Sequence, residues 1–138
     1  MSIVQTLTTS FKNDLLIGAQ NLSTDTLKIA LYTGNASLNA DTTAYSSTDE
    51  VVGSGYTATG QVLTGITIQT SGTTVYINFN NAVWNPASFT ARAALIYNSS
   101  KSNKSVAVLD FGADKTCTTT FTVQMPANTV TSSLLRFA

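Results

Sequence analysis

Large apolar residues alternate with polar ones along much of the chain after Thr26. In segment 27–33, LKIALYT, every second residue is a large aliphatic one, and segments 74–80 and 121–125 repeat this pattern. A period of two is typical of β-strands that bury one face and expose the other. The pattern therefore predicts half-buried strands, with Phe121, Val123 and Met125 on the buried side of the last segment.

Two pairs of strand segments are separated by turn sequences. Segments 61–69 and 74–80 flank Ser71-Gly72-Thr73, and segments 89–98 and 105–112 flank the polar loop SSKSNK. Short connections of this kind predict β-hairpins. With a terminal strand in SLLRFA, the chain has roughly seven or eight short strands and no helix of crossover length. We predict an all-β fold, an antiparallel β-sandwich that is jelly-roll-like; immunoglobulin-like topology is the alternative.

The rest of the chain departs from the strand pattern in two places. Residues 1–26 form an N-terminal arm with one short N-terminal helix in FKNDLLIGAQNL, which Thr9 or Ser10 is expected to cap. Residues 34–60 form a long loop excursion with few large apolar side chains and four of the eight glycines. Loops of this length are usually functional or disordered. We expect a packed arm or a contact surface within one domain, residues 1–138.

The composition is polar but carries little charge. Thr, Ser and Asn supply 50 of the 138 residues, whereas charged residues make up 10%, against roughly 25% in typical globular proteins. Seven Lys and Arg balance seven Asp and Glu. Without a basic surface we expect no nucleic acid and no membrane as partners. The first ten residues lack the pattern of a secretory signal, so we expect synthesis in the cytoplasm.

The absence of histidine removes most of the common catalytic and metal chemistry. A Ser-His-Asp or Cys-His nucleophile needs histidine, and structural zinc needs more ligands than the single Cys117 supplies. We read Cys117 as a small apolar residue beside the core. Two carboxylate pairs, Asp110 with Asp114 and Asp49 with Glu50, are the closest available for hydrolysis, and turn geometry explains them better.

No motif for a cofactor stands out either. The segment GSGYTATG lacks the phosphate-loop pattern and is read as a turn with Tyr56 as a packing anchor, and no calcium-binding loop is present. We therefore predict no catalytic residues, no cofactor and no metal. The candidate residues for a subunit interface are Tyr32, Tyr56, Trp84, Arg92, Arg136 and Phe137. A glycan-binding platform would need Tyr32, Tyr56, Tyr76 and Trp84 to be exposed together.

Four strings of the sequence, in this order, resemble a known family: LKIALYTGNASLNADTTAY, EVVGSGYTATGQVLT, FTARAALIYN and KSVAVLDFGADKT. They are similar to small virion structural proteins of tailed bacteriophages, and the similarity extends from SFKNDLL to FTVQMPA. The resemblance implies a non-enzymatic virion component made in the bacterial host cytoplasm, and it brings no catalytic residues to these positions.

Within that family we expect a capsid decoration or cement protein. Such a protein forms a homo-oligomer, expected to be a trimer, and binds the major capsid protein so that it bridges capsid subunits. A tail or head-to-tail connector component, adaptor or fibre-associated, is the alternative, with tail proteins as partners. A glycan-binding attachment module is a more distant one.

Overall fold

The computed structural model describes residues 3–129 and 131–137, which contain ten strands and one helix. Their bounds, in chain order, are β1 Thr6–Leu7, α1 Thr9–Leu16, β2 Leu27–Tyr32, β3 Gln61–Val62, β4 Thr67–Ser71, β5 Thr74–Asn78, β6 Ala82–Trp84, β7 Phe89–Asn98, β8 Lys104–Cys117, β9 Phe121–Val123 and β10 Leu135–Phe137.

The longest strands form a five-stranded antiparallel sheet in the order β1-β8-β7-β2-β3. The predicted hairpin of segments 89–98 and 105–112 is confirmed as the β7–β8 pair. β7 is the central strand, and Ala94 at its middle is fully buried. Opposite Arg92 the register shifts, so that residues 111–114 of β8 bulge out of the regular ladder.

Two smaller sheets complete the strand arrangement. One has the order β10-β5-β4, which confirms the predicted β4–β5 hairpin and the terminal strand, and the other pairs β6 with β9. Gly72, the first residue of the two-residue β4–β5 turn, has φ +60. This is the conformation that a type II′ hairpin turn requires. The predicted burial of Phe121, Val123 and Met125 is also confirmed.

The five-stranded sheet is buried on both faces. One face contributes to a core that also contains buried residues of α1 and of the two smaller sheets. The other face packs against the loop 34–60, whose Ala36 and Leu38 join Tyr32, Leu95 and Val108 in a second cluster. The prediction of a half-buried strand at 27–32 is therefore wrong, because the loop covers the face that was expected to meet solvent.

The N-terminal helix is confirmed, but its cap differs from the expected one. The side chain of Thr8, rather than Thr9 or Ser10, accepts a hydrogen bond from the backbone N–H of Phe11. Phe11 is fully buried, while Leu16 and Ile17 at the C-terminal end are exposed. No helix among the described residues has the length and apolar character needed to cross a membrane.

The fold is thus mostly β, with antiparallel sheets and one short N-terminal helix. Local sequence explains the strands, since each carries the β-branched and aromatic residues that fit a pleated surface. The long loop replaces regular structure as the cover of one sheet face, and residues in and under it form a hydrogen-bonded polar site.

Candidate functional site

Two of the predicted interface residues lie in the core. Tyr32 is 1% exposed and Trp84 is 6% exposed. Trp84 contacts the rings of Tyr56, Phe89 and Phe121, with centroid distances of 6.1, 6.5 and 6.2 Å. Neither Tyr32 nor Trp84 presents a surface to a partner in this structure. The same burial removes them from an exposed aromatic platform of the kind that binds glycans.

The other candidates lie on separate parts of the surface. Arg92 on β7 is partly exposed, and its Nε lies 3.4 Å from Asp110 Oδ1 on β8. Arg136 and Phe137 lie on β10, where Phe137 pairs with Val75 of β5. Arg136 is exposed and Phe137 is half-buried. These residues belong to different sheets, and their place at a subunit interface stays a prediction.

A polar site with several hydrogen bonds surrounds Glu50, a carboxylate that is 7% exposed. The hydroxyls of Tyr45 and Tyr56 donate hydrogen bonds to its Oε1 and Oε2 at 2.6 and 2.5 Å, and the backbone N–H of Thr59 donates to Oε2 at 2.9 Å. Hydrogen bonds to a charged acceptor are the stronger ones in proteins. Glu50 therefore acts as the point around which residues 45–59 of the loop are folded.

Two further tyrosines fix the same loop to the sheet. Tyr32 on β2 donates to the carbonyl of Ser46 at 2.7 Å, and Tyr97 on β7 donates to the carbonyl of Thr59 at 2.6 Å. We call Tyr32, Tyr45, Tyr56 and Tyr97 the tyrosine cluster. Desolvation raises the pKa of every one of these hydroxyls above its ordinary value, and the nearby Glu50 carboxylate raises it further.

Tyr56 has a second role in this arrangement. Besides donating to Glu50, its hydroxyl accepts a hydrogen bond from the backbone N–H of Leu31 at 2.9 Å. The hydroxyl thus gives a partner to the buried N–H of Leu31, which lies past the part of β2 that pairs with β3. The prediction of Tyr56 as a packing anchor in a turn agrees with its ring contacts to Trp84 and Phe89. These hydrogen bonds link Glu50 and Tyr56 to β2 and hold the loop against the sheet.

A second polar network connects the N-terminal arm to the end of the β7–β8 hairpin. The side-chain amide of Asn98, which is fully buried, donates to Gln20 Oε1 at 3.0 Å and to Asp25 Oδ2 at 2.8 Å. Lys101 lies 3.6 Å from Asp25. Desolvation tends to raise the pKa of Asp25, but hydrogen bonds from Asn21 and Asn98 and the charge of Lys101 outweigh it, so the pKa is lowered.

A groove of about 500 Å³ lies between the bulged half of β8 and strand β9. Its apolar lining includes Leu109, Phe111, Phe121 and Val123, and its polar lining includes Thr116, Thr120, Thr122 and Gln124. The outer edge of β8 is partly satisfied there, because Gln5 Oε1 accepts a hydrogen bond from the backbone N–H of Asp110 at 3.0 Å.

In each carboxylate pair considered from sequence, one member is held by structural contacts: Glu50 in one pair and Asp110 in the other. Asp49 lies in an exposed turn with φ +61 whereas Glu50 is buried, so the two side chains do not share an environment. Asp110 accepts from Arg92 and from the backbone N–H of Gly112 at 2.8 Å. Cys117 is buried at the edge of the core, as predicted. Among the described residues, no group of three or more acidic or cysteine side chains is placed to hold a metal ion.

Sequence reasoning missed the role of Glu50 and the tyrosine cluster. The loop was recognised as unusual because of its length and glycines, but its few large side chains gave no sign of a core. The available signal was the spacing of Tyr45, Glu50 and Tyr56, since Asp49 and Glu50 are the two acids between two tyrosines in a weakly charged loop. Comparison of the chain with models of protein families, with curated proteins and with solved structures found no significant match.

Proposed function

We propose that this chain is a non-enzymatic structural protein of a tailed-phage virion, and that it acts as a capsid decoration or cement protein. In this role it binds the outer shell as a homo-oligomer, expected to be a trimer, and bridges neighbouring capsid subunits. The observation that carries the proposal is the ordered set of four strings that resembles small virion structural proteins.

The folded chain supports treating those strings as one unit. Strings 27–45 and 50–64 supply β2, β3 and most of the covering loop, while strings 89–98 and 104–116 supply β7 and nearly all of β8. Segments that are separated along the chain thus meet in one five-stranded sheet and its cover. This is the arrangement expected if the similarity reflects a shared folded body rather than unrelated local matches.

The surface chemistry also fits a protein that packs closely with copies of itself. Burying charge at an interface is costly unless each charge is paired, whereas Thr, Ser and Asn can form neutral hydrogen bonds. With balanced charge and only 10% charged residues, adjacent copies repel each other weakly. Several large apolar side chains are exposed, among them Leu16, Ile17 and Val52. Residues of this type are candidates for contacts with the shell or with other subunits.

The proposal includes a finer description of the fold, a jelly-roll-like sandwich. Its support is the shared core, in which buried residues of the five-stranded sheet contact those of β5, β6, β9 and β10. Antiparallel sheets that face one another across a common core are characteristic of sandwich folds.

The test is the number of copies of the chain per virion, measured by quantitative mass spectrometry of purified particles against the major capsid protein. Because copy number follows the symmetry of the assembly, capsid decoration requires on the order of hundreds of copies. On the order of a dozen copies would instead assign the chain to the tail or the head-to-tail connector, the alternative function. Absence from purified particles would overturn both assignments.

A second measurement tests self-association independently of the virion. Sedimentation velocity of the purified chain should show a species larger than its 14.5 kDa mass. A strictly monomeric protein over the whole accessible concentration range would contradict assembly as its mode of action. Screening the same sample for glycan binding tests the attachment-module alternative, and screening it for hydrolysis tests whether the chain is an enzyme. Hydrolytic turnover that Asp110→Asn abolishes would overturn the non-enzymatic proposal.

A further inference from the structure

Strand β4 stands out because it is exposed along its whole length. All five of its residues, Thr67–Ser71, are exposed, although they form a regular ladder with β5. Within residues 3–129 and 131–137, β5 is the only segment that pairs with the backbone of β4. The side chain of Asn128 contacts the side chains of Thr67 and Gln69 on one face of the strand. Because these contacts do not involve the backbone of β4, its outer edge remains open.

The other edge strands in the described part of the chain carry features that oppose edge-to-edge pairing. β1 and β3 have two residues each, and β6, β9 and β10 have three. The outer half of β8 is interrupted by its bulge and bears Asp110, Asp114 and Lys115. Short length, bulges and charge are the usual means by which proteins protect an edge. β4 has none of them: it is longer, regular, uncharged and free of proline.

The hairpin geometry determines which backbone groups of β4 point outward. Ser71 and Thr74 flank the two-residue turn and form a hydrogen-bonded pair. Hydrogen-bonded and non-hydrogen-bonded pairs alternate along an antiparallel ladder. Gln69 and Thr67 therefore bond inward to β5, whereas Ile68 and Thr70 direct their N–H and C=O groups away from it.

We propose that this edge pairs antiparallel with β4 of a second copy of the chain, with Gln69 at the twofold axis. Ile68 and Thr70 can bond outward only to outward-facing residues, so Ile68 must oppose Ile68 or Thr70 of the second copy. Pairing Ile68 with Thr70 is the register that uses all five residues, and it forms roughly four backbone hydrogen bonds. No charged residue is placed opposite a like charge, because the strand carries none.

The exposed side chains favour the same partner. Ile68 and Val75, which are 45% and 36% exposed, lie on the same face of the β4–β5 hairpin as the buried Ile77. The apolar face of the core thus continues outward to the edge. Pairing two copies of β4 places these two apolar surfaces side by side, where cross-strand neighbours of this type stabilise a sheet.

This inference deepens the proposed function and rests on self-assembly being the way the chain works. A pair of five-residue strands buries less than the roughly 1,200 Å² of a stable complex, so pairing should depend on concentration. A twofold contact also lies outside a threefold ring, and it would join neighbouring trimers rather than build one.

Cysteine cross-linking tests the contact and its register. In a Cys117→Ala background, Gln69→Cys places two thiols in a directly opposed, non-hydrogen-bonded pair with Cα atoms about 4.5 Å apart, close enough for a disulfide. We expect an intermolecular disulfide under mild oxidation, increasing with protein concentration. The matched control is Ser71→Cys, on the same strand and face, whose two copies would be roughly 13 Å apart along the strand and should form no intermolecular disulfide.

Two further variants keep the test decisive. A mixture of Thr67→Cys with Ser71→Cys should give a disulfide only between the two different variants, since these positions oppose each other in the proposed register. Adding Thr70→Pro to Gln69→Cys removes an outward N–H and leaves the β5 ladder intact, so it should abolish the cross-link while the circular dichroism spectrum is kept.

The contrary results separate this inference from the proposed function. If Gln69→Cys cross-links no more than Ser71→Cys while the chain sediments as an oligomer, β4 pairing is overturned and self-assembly stands. If the chain remains monomeric throughout and Gln69→Cys never cross-links, both fail.

Discussion

Replacing Tyr56 by Phe should destabilise the chain more than replacing Tyr45 by Phe, although both lose a hydrogen bond to Glu50. Tyr45 donates to Oε1 of Glu50 at 2.6 Å, and the backbone N–H of Thr59 beside its hydroxyl keeps Oε2 of Glu50 as a partner at 2.9 Å. Tyr56 donates to Oε2 at 2.5 Å and also accepts from the backbone N–H of Leu31. Leu31 is fully buried, so its N–H has no access to water when the hydroxyl is removed.

The magnitudes follow from these contacts. A hydrogen bond to a charged group contributes about 1.5–3 kcal/mol, and a buried donor left without a partner costs about 1–3 kcal/mol. We therefore expect Tyr45→Phe to lower the free energy of unfolding by about 1.5–3 kcal/mol. Tyr56→Phe should lower it by a further amount of about 1–3 kcal/mol. Both variants keep their aromatic rings, so packing against Trp84 and Tyr97 is preserved and the comparison isolates the hydroxyl.

Urea unfolding measures the difference directly. With a slope of about 1–3 kcal/mol per molar urea for a small domain, a difference of about 2 kcal/mol separates the two midpoints by about 1 M. Far-UV circular dichroism and the fluorescence of Trp84 should give coincident transitions if unfolding is two-state. Equal losses in the two variants, or a larger loss for Tyr45→Phe, would refute the role assigned to the Leu31 hydrogen bond.

Three further changes test other parts of the structure. Ala94→Asp buries an unpaired charge in the central strand and should prevent folding. The control Ala113→Asp lies on the exposed bulge and should change the free energy of unfolding by less than about 0.5 kcal/mol. A folded, soluble Ala94→Asp protein would contradict the burial of that strand. Gly60→Ala places a Cβ 1.8 Å from the carbonyl oxygen of Ile29 and should lower the melting temperature strongly. In the control Gly72→Ala the new Cβ meets no atom within 4 Å, and only the positive φ costs about 1–2 kcal/mol, so its shift should be much smaller. Equal shifts in the two variants would show that the loop does not pack closely against β2. The pKa values of the tyrosine cluster in the folded chain are raised above the ordinary 10.0, so the same tyrosines lose their protons first in the unfolded chain. The free energy of unfolding should therefore fall as pH rises above about 10, by about 1.4 kcal/mol per pH unit for each tyrosine. If Tyr56→Phe leaves the dependence of the unfolding free energy on pH unchanged, the tyrosine cluster is not its origin.

Much of the fold could be predicted from local patterns. The two hairpins, the terminal strand and the buried side of segment 121–125 follow from alternation and turn residues, because these features act between neighbours in sequence. The burial of Ala94 follows from its place in the longest apolar strand segment. The N-cap was misassigned by one residue, since adjacent Thr8 and Thr9 offer the same hydroxyl and only the path of the chain chooses between them.

The candidate site could not be predicted in the same way. An aromatic residue in a strand pattern fits the core and the surface equally well, so the sequence predicts an interface role for Tyr32 and Trp84, whereas the structure buries both. The difference depends on whether another segment covers the face that carries them. For Tyr32 that segment is the loop 34–60, which has little hydrophobic character of its own.

The sequence by itself determined the class of the fold, because a period of two and short turns leave few alternatives to antiparallel β-structure. It also determined that the chain itself supplies no histidine side chain. Only the tertiary structure decided that the polar loop covers the sheet and that β4 keeps an open edge. It also decided that Glu50 organises the loop through Tyr45 and Tyr56, while Tyr32 and Tyr97 attach the loop to the sheet. These outcomes depend on contacts between distant residues, which no local pattern encodes.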